Sequence, residues 1–174
     1  CFNAIRNEYP QLGGNYEVVH HSELIAQLIR EGRISVNDAS GIAGGEVTYH
    51  DPCYLGRYNG VFDAPRKAIA STDLKITEMP RHGRTSFCCG GGGGHAMMKE
   101  DRGTRINLER VKEALSTGAP VIAASCPFCM GMLEDGVAGS NAGTKLRVLD
   151  IAEIVAGSME APADAPAAPQ HTSA

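Results

Sequence analysis

Apolar and polar positions follow two patterns along the chain. Short apolar runs bounded by turn residues predict strands over residues 16–20, 46–50, 74–79, 120–124 and 146–149. Apolar residues at helical spacing predict helices over residues 22–33, 64–70 and 99–116, and a short helix after the last strand through Val155. Ser22 is the expected N-cap of the first helix. The expected buried face of the 99–116 helix is formed by Leu108, Val111 and Leu115.

Strands that alternate with helices indicate an α/β fold, in which a small parallel sheet is connected by right-handed crossover helices. Ligands of such sheets collect at the carboxyl ends of the strands. Pro52 ends the second predicted strand and Cys53 follows it, while Cys126 lies two residues after the fourth. The sequence therefore predicts that these two distant cysteines meet at one edge of the sheet.

The composition is typical of a soluble globular protein. With 174 residues, 43% of them apolar and 21% charged, the chain has room for one ordinary domain and part of a second. A formal charge of −4 and a pI near 5.9 argue against a nucleic-acid partner, which requires clustered Lys and Arg. No apolar run approaches the roughly 20 residues of a membrane span, so none is predicted. The chain begins at Cys1 without a Met, which we interpret as a fragment or a processed piece.

Six cysteines without a secretion signal favour metal binding or redox chemistry, with free buried thiols as the alternative. Five follow one pattern: Cys53, 34 residues, Cys88-Cys89, 36 residues, then Cys126-Pro-Phe-Cys129. Side chains of adjacent residues diverge, so Cys88 and Cys89 are hard to fit onto one tetrahedral zinc ion. In a polynuclear cluster, neighbouring thiolates can bind different iron atoms. The pattern predicts an iron–sulfur cluster on all five, with a structural zinc module as the alternative.

A run of glycines follows the adjacent cysteines. Because Gly90, Gly91 and Gly92 have no Cβ, their backbone can approach a cluster and donate N–H groups to its sulfurs. A phosphate-binding loop is a weaker interpretation, since no Gly-Lys-Ser/Thr follows the glycines. Three residues that flank cysteines in the sequence are predicted to lie beside the cluster: His50, His95 and Pro127. For the two histidines, a role as metal ligand or proton donor and a plain surface position are the alternatives.

The chain also contains a candidate repeat, because residues 16–25 resemble residues 146–155 in their strand, turn and helix pattern. Duplication explains such a match, and chance similarity of two strand–helix segments is the alternative. The alignment makes Cys1 the counterpart of Cys129, and thus a predicted ligand of a first, incomplete cluster. We therefore divide the chain into the tail of a first repeat (1–33), a linker (34–45), a complete domain (46–156) and a disordered Ala/Pro-rich tail (157–174).

The arrangement Cys53-x34-Cys88-Cys89-Gly90-x35-Cys126-Pro-x-Cys129 resembles the cysteine-rich CCG domain of heterodisulfide reductase and its relatives, over about residues 46–156. The resemblance implies a 4Fe-4S cluster on these five cysteines, in a noncubane form in the heterodisulfide reductase case. The segments His50-Asp-Pro-Cys53-Tyr-Leu-Gly-Arg57 and Cys126-Pro-Phe-Cys129-Met-Gly-Met-Leu-Glu-Asp135 resemble membrane-associated Fe–S oxidoreductases that work beside electron-transfer flavoprotein.

This second resemblance implies an oxidoreductase that relays electrons from flavoprotein toward the quinone pool, with this chain as a C-terminal fragment. The implied partners are a redox protein such as electron-transfer flavoprotein and a quinone-reducing membrane part. The implied location is the cytoplasm, at the inner face of the cell membrane. The heterodisulfide reductase likeness leaves a second function open, a thiol–disulfide reductase whose cluster binds a substrate sulfur.

Overall fold

The computed structural model describes residues 1–37, 41–98, 103–140 and 146–159. Within these ranges the elements follow one another as α1 (His21–Arg30), β1 (Glu46–Tyr49), α2 (Gly56–Asn59), α3 (Asp63–Ala70), β2 (Lys75–Ile76), α4 (Ile106–Ser116), β3 (Val121–Ala124), α5 (Pro127–Gly139), β4 (Arg147–Asp150) and α6 (Ile151–Gly157). Short π- or 3₁₀-helical turns lie at Ala4–Glu8, Tyr9–Leu12, Ala43–Gly45, Gly83–Thr85 and Gly92–Met97.

The strands of the described residues form one parallel sheet in the order β2-β1-β3-β4. Thr48 of β1 pairs with Ile122 of β3, and Ala123 of β3 pairs with Leu149 of β4. Helices connect each strand to the next along the chain, as parallel pairing requires. The predicted α/β fold, a small parallel sheet with crossover helices, is therefore confirmed.

Alternate side chains of β1 and β3 point to opposite faces of the sheet, and helices cover both faces. On one face the strands pack against α3 and α6 through Val47, Tyr49, Ile69, Val121, Ala123, Ile151 and Ile154. On the other face they pack against α4 and α5 through Val111, Ala114, Ile122, Ala124 and Leu133. The carboxyl edge of the sheet lies between these two helical layers.

Helices α4 and α5 cross so closely that Gly136 has no room for a side chain. A Cβ at this position would lie 2.9 Å from Val111 Cγ2 and 3.0 Å from the backbone oxygen of Asn107. Glycine is about 1 kcal/mol less favourable than alanine inside a helix, so this contact explains its presence. The close packing fixes α5, whose first turn follows directly on β3.

The predicted strand over residues 16–20 is wrong, because this segment pairs with no strand of the described sheet. Val18 and Val19 are adjacent in sequence, so the segment has no single apolar face to bury. Tyr16 and Val19 are accordingly exposed.

The end of this segment caps α1 instead. His20 Nδ1 accepts a hydrogen bond from the Ser22 N–H at 3.2 Å, and Glu23 Oε2 accepts one from the His20 N–H at 3.2 Å. His20 is therefore the N-cap, where the sequence predicted Ser22. Asp150 and Glu153 form the same reciprocal cap at α6. The two caps lie 130 residues apart, 150 minus 20, which is the offset of the predicted repeat.

Two other elements are shorter than predicted. Strand β2 ends at Ile76 rather than residue 79. Glu78 contacts Arg66 of α3, and Met79 is buried on the opposite face of the sheet. Helix α4 begins at Ile106, and the first residues of the predicted helix, 99–102, lie outside the described part of the chain. Gly103 has a φ of +68°, a left-handed conformation that a right-handed helix cannot include.

Helices α2 and α5 have no counterpart among the predicted elements, although each follows a cysteine-bearing loop. The predicted linker 34–45 contacts the residues that follow α6, since Val36 forms an antiparallel bridge with Met159. Most of the tail predicted to be disordered, residues 160–174, lies outside the described residues.

Candidate metal centre

Cys53 and Cys126 lie beyond the carboxyl ends of the neighbouring strands β1 and β3. Cys53 occupies the loop that leads into α2. Cys126 is the N-cap of α5, Pro127 takes the first helical position, and Cys129 is buried in the first turn. Two adjacent strand ends thus deliver three cysteines to one edge of the sheet.

The start of α5 favours the thiolate form of Cys126. The Cys129 thiol donates a hydrogen bond to this sulfur, and the backbone N–H groups of Cys129 and Phe128 point to it from the open end of the helix. These contacts outweigh burial and lower the pKa of Cys126 to about 6. Cys126 is therefore prepared as a metal ligand, because the thiolate is the binding form.

The loop that carries the adjacent cysteines is tied to the end of β1 through Asp51. Asp51 Oδ2 accepts a hydrogen bond from the Gly83 N–H at 2.7 Å, and the Asp51 backbone oxygen accepts one from Ser86 Oγ at 3.1 Å. Arg57 Nη2, from α2, donates to the Ser86 backbone oxygen at 2.6 Å. These bonds hold the approach to Cys88 beside the loop of Cys53.

Arg66 of α3 holds Asp51 in turn. Its Nη1 and Nη2 donate to Asp51 Oδ1 and Oδ2 at 2.7 and 2.9 Å, and its Nε donates to Glu78 Oε1 at 2.6 Å. Although burial opposes the charge, the two carboxylates raise the pKa of Arg66. Asp51 is only 3% exposed, so its carboxylate depends on these partners instead of water.

Gly90 and Gly91 close the backbone around the adjacent cysteines. The Gly90 N–H donates to Cys88 Sγ at 3.3 Å, and the Gly91 N–H donates to the sulfur of Cys89. Gly90 has a φ of +92°, and a Cβ there would lie 3.1 Å from Ile106 Cβ. The loop can therefore follow this path only with glycine at position 90.

The buried centre of the site contains Cys89, Cys129 and His50. Their sulfurs and one ring nitrogen lie within 4.8 Å of one another. Cys126 packs against Cys89 and Cys129, and Met132 of α5 packs against the same cysteine side chains. Two separate loops therefore contribute sulfurs to one buried place.

The remaining cysteines join this group from the side. The Cys88 thiol hydrogen-bonds to Cys89, and Cys53 is close enough to Cys89 and Cys126 to be influenced by their charges. The five predicted ligands therefore lie in one part of the molecule, with Cys89, Cys126 and Cys129 packed together and Cys88 and Cys53 beside them. Cys1 is exposed and does not belong to the buried group. Among the other predicted neighbours, Gly92 and His95 are exposed within the turn Gly92–Met97.

The thiols share protons unequally. Hydrogen bonds from Cys129, Cys88 and His50 lower the pKa of Cys89 far below its usual value. The pKa of Cys129 is raised by its bonds with Cys126 and Cys89, and the pKa of Cys88 is raised by its bond with Cys89. Burial is the main cause of the raised pKa of Cys53. Thiolates at Cys89 and Cys126 are thus stabilised by the protons of their neighbours.

Two buried polar residues of α4 reach the site, and sequence reasoning missed both. Arg110 is fully buried and its Nε donates to His50 Nδ1 at 3.0 Å. Asn107 Nδ2 donates to the Met132 backbone oxygen at 3.1 Å, which links α4 to α5.

Both residues were missed because the sequence pattern assigned the wrong face of α4 to the core. Leu115, expected on the buried face of α4, is 41% exposed. The buried face runs instead through Asn107, Arg110, Val111 and Ala114, which follow helical spacing as well as the leucines do.

The donor set suits an iron–sulfur cluster. Five soft sulfur ligands exceed the four that a tetrahedral zinc ion takes, and they are partly or fully buried. Backbone N–H groups of Gly90 and Gly91 supply the hydrogen bonds that tune cluster sulfurs in proteins. A cationic metal centre would take the place of the protons that the thiols now share.

A family model of the cysteine-rich CCG domain matches residues 47–134. The chain is 38% identical over 166 residues to an EtfAB:quinone oxidoreductase of Syntrophomonas wolfei, which covers 91% of this chain and 23% of that protein. It is 39% identical over 160 residues to the probable iron-sulfur-binding oxidoreductase FadF of Bacillus subtilis, with 91% and 22% covered.

The chain is also 38% identical over 164 residues to one polypeptide of the dihydromethanophenazine:CoB–CoM heterodisulfide reductase of Methanosarcina mazei, with 90% of this chain and 38% of that polypeptide covered. It therefore spans between 22% and 38% of the length of these relatives. In the part of the chain that the structure describes, every helix is too short or too polar to cross a bilayer.

Proposed function

Because the chain belongs to the cysteine-rich CCG domain family, we propose that it binds one 4Fe-4S cluster and passes electrons through it. The proposed ligands are the sulfurs of Cys53, Cys88, Cys89, Cys126 and Cys129. The observation that carries the proposal is the convergence of these sulfurs, from three separate loops, on one place at the carboxyl edge of the sheet. When bound, such a cluster supplies reversible electron transfer.

Five thiolates exceed the four that an ordinary 4Fe-4S cluster takes, which supports a noncubane form. For the direction of transfer we propose electron-transfer flavoprotein as the donor and a quinone as the acceptor, following the name of the Syntrophomonas wolfei relative. The chain then works at the cytoplasmic face of a membrane, together with a membrane part that reaches the quinone.

Residues 1–33 are proposed to be the tail of a preceding CCG repeat, with Cys1 as a ligand of its cluster. The shared reciprocal caps support this assignment, since His20 and Glu23 begin α1 as Asp150 and Glu153 begin α6. The exposure of Cys1 leaves its sulfur accessible to ligands from outside the described residues.

Anaerobic reconstitution of the chain with iron and sulfide tests the cluster and its ligands. We expect a brown protein with a charge-transfer absorption band, about four irons and about four sulfides per chain. Cys89→Ser is expected to lose most of this iron, because a hard hydroxyl replaces a buried thiolate. Cys1→Ser is the matched control and keeps the iron. A colourless protein with one zinc ion, or a Cys89→Ser variant with unchanged iron, refutes the proposal.

A thiol–disulfide reductase is the second candidate, and a cavity favours it. The cavity of about 530 Å³ opens beside Cys126 and has an apolar lining that includes Phe2, Leu55 and Phe128. Two electrons and two protons would cleave a bound disulfide into two thiols. Turnover of low-molecular-weight disulfides with reduced viologen as the donor separates the candidates, because a pure relay gives none.

A further inference from the structure

A line of polar side chains runs from α4 to the cysteine sulfurs. Arg110 Nε lies 3.0 Å from His50 Nδ1, and both side chains are buried. On its other side the imidazole interacts with Cys89. A ring nitrogen of His50 also lies within 4.8 Å of the sulfurs of Cys89 and Cys129. By position alone, His50 could be either a metal ligand or a hydrogen-bond donor.

Arg110 removes this ambiguity. A guanidinium Nε carries a proton and has no lone pair, so it can only donate. His50 Nδ1 must therefore accept and carries no proton. A neutral imidazole with an unprotonated Nδ1 has its single proton on Nε2. Nε2 is the nitrogen left for Cys89, so it donates its N–H to the sulfur and has no lone pair for a metal.

Contacts that do not involve the cysteines fix Arg110 in this position. Its Nη1 donates to Glu113 Oε2 at 2.6 Å and to the Arg81 backbone oxygen at 2.8 Å. Glu113 also pairs with the side chain of Arg81. A protonated His50 would point its Nδ1–H at the N–H of a cation, so this arrangement keeps the ring neutral.

Stability alone does not explain an arginine at this position. Arg110 Nη2 is buried without a hydrogen-bond partner among the described residues, so its desolvation is not compensated. Burial also lowers the pKa of Arg110, while Glu113 opposes this effect. An apolar side chain of similar volume would avoid both costs. An apolar side chain would lose the bonds to Glu113 and to the Arg81 backbone oxygen as well, but the bond to His50 is the one that links Arg110 to a residue beside the cysteine sulfurs.

We propose that Arg110 is a positioning residue that holds His50 in its Nε2-protonated form, so that His50 donates a hydrogen bond to Cys89 and does not bind iron. The inference rests on the proposed function, because it assigns a role toward the cluster. A hydrogen bond to a ligand sulfur stabilises negative charge there, and reduction adds one negative charge. The His50 bond therefore raises the reduction potential of the cluster.

Pulsed electron paramagnetic resonance on the anaerobically purified, reduced wild-type protein tests the first half of the proposal. With ¹⁵N-labelled histidine, a nitrogen bound directly to iron gives a strong hyperfine coupling, and a donor separated from iron by a sulfur gives a weak one. We expect only the weak coupling. A strong coupling would make His50 a ligand and overturn the proposal, and this measurement requires no variant to fold.

Midpoint potentials of three variants test the second half. His50→Phe removes the hydrogen-bond donor to Cys89. Arg110→Met removes the hydrogen bond that fixes the His50 ring, and Glu113 still has Arg81 as an ion-pair partner. In each single variant the ratio of reduced to oxidised cluster at the wild-type midpoint is expected to fall roughly tenfold, a shift of about 59 mV for one electron. In the double variant Arg110→Met adds no further shift. Lys112→Met, which removes an exposed cation from the same helix, leaves the potential unchanged.

Equal shifts from Arg110→Met with and without His50 would show a general structural effect and overturn the proposal. Iron and sulfide analysis separates this failure from failure of the proposed function. If the purified protein holds no iron, the proposed function fails. In that metal-free protein, the two-bond ¹⁵N–¹H correlation of His50 still reports its tautomer, and a proton on Nδ1 overturns the inference.

Discussion

Replacing Arg66 by methionine tests how the loop of Cys88 and Cys89 is attached to the sheet. The change removes both hydrogen bonds to the Asp51 carboxylate and leaves it with the Gly83 N–H alone. Asp51 is 3% exposed, so water can replace the lost partner only in small part. The carboxylate would remain buried with an uncompensated charge.

Removal of one partner from a buried ion pair costs about 3–5 kcal/mol. The Arg66 side chain is 22% exposed, so water reaches part of the gap. We therefore expect the lower end of that range, a loss of about 3 kcal/mol in the free energy of unfolding. Adding Asp51→Asn to Arg66→Met removes the buried, unpaired negative charge, and the asparagine side-chain oxygen still accepts a hydrogen bond from the Gly83 N–H. The double variant is expected to recover about half of the loss.

Urea unfolding followed by circular dichroism, under anaerobic conditions, measures this free energy from the midpoint and the slope of the transition. Lys67→Met on the same helix is the matched control, because this exposed cation makes no contact with Asp51; a change within about 0.5 kcal/mol is expected. A loss below about 1 kcal/mol for Arg66→Met would refute the argument that the ion pair holds the loop.

Gly136→Ala is expected to lower the free energy of unfolding by about 1–3 kcal/mol in the same assay, because its Cβ would overlap α4. Gly90→Ala is expected to speed iron loss to a chelator at least several-fold, because position 90 has a φ of +92° and a Cβ there would crowd Ile106. Burial lowers the pKa of His20 from 6.5 to about 4, so the folded protein keeps this ring neutral where the unfolded chain protonates it. Stability from His20 is therefore complete above pH 6.5 and declines toward pH 4, by at most about 1.4 kcal/mol per pH unit.

Each of these outcomes has a matched control. Gly131→Ala lies on the same helix with nothing within 4 Å of its Cβ, and should not destabilise the protein. Gly92→Ala is the control for Gly90→Ala: it lies in the same loop, a Cβ there would have no atom within 4 Å, and the rate of iron loss should stay unchanged. His20→Asn keeps an N-cap acceptor but cannot titrate, so the decline of stability below pH 6.5 should become shallower. Equal behaviour of variant and control would contradict the argument in each case.

The sequence predicted the parts of the site that depend on local rules. The resemblance to CCG domains, drawn from the spacing of Cys53, Cys88, Cys89, Cys126 and Cys129, is confirmed by the family match. The parallel sheet is confirmed as well. The positions of Cys53 and Cys126 after β1 and β3 followed from turn signals within a few residues of each cysteine, so no long-range information was needed.

The buried face of α4 could not be predicted in the same way. Arginine is almost never fully buried unless it is paired, so apolar spacing favoured the leucines over Arg110. The partners that make its burial tolerable are Glu113 on the same helix and His50, which is 60 residues away in the chain. Only the tertiary fold brings His50 and Arg110 together, and the sequence pattern carries no sign of it.

The failed strand over residues 16–20 has a different cause. Its β-branched residues have strand propensity, yet propensity is realised only where a neighbouring strand offers free backbone groups. In the described structure this segment pairs with none of the four strands, an outcome set by the assembled sheet and not by the segment itself. The capping residues at the end of the segment acted locally instead, and they set the start of α1.

The bonds around Asp51 bear on the survival of the protein after oxidative damage. Asp51 joins α3, the strand end and the loop before Cys88 through contacts that use no sulfur atom. Oxygen attacks exposed clusters and releases their iron, but it leaves such bonds intact. The damaged protein would then keep its ligand loops close to their working positions. Repair would need reduction of the freed thiols and new iron and sulfide, and the cell would not have to synthesise the chain again.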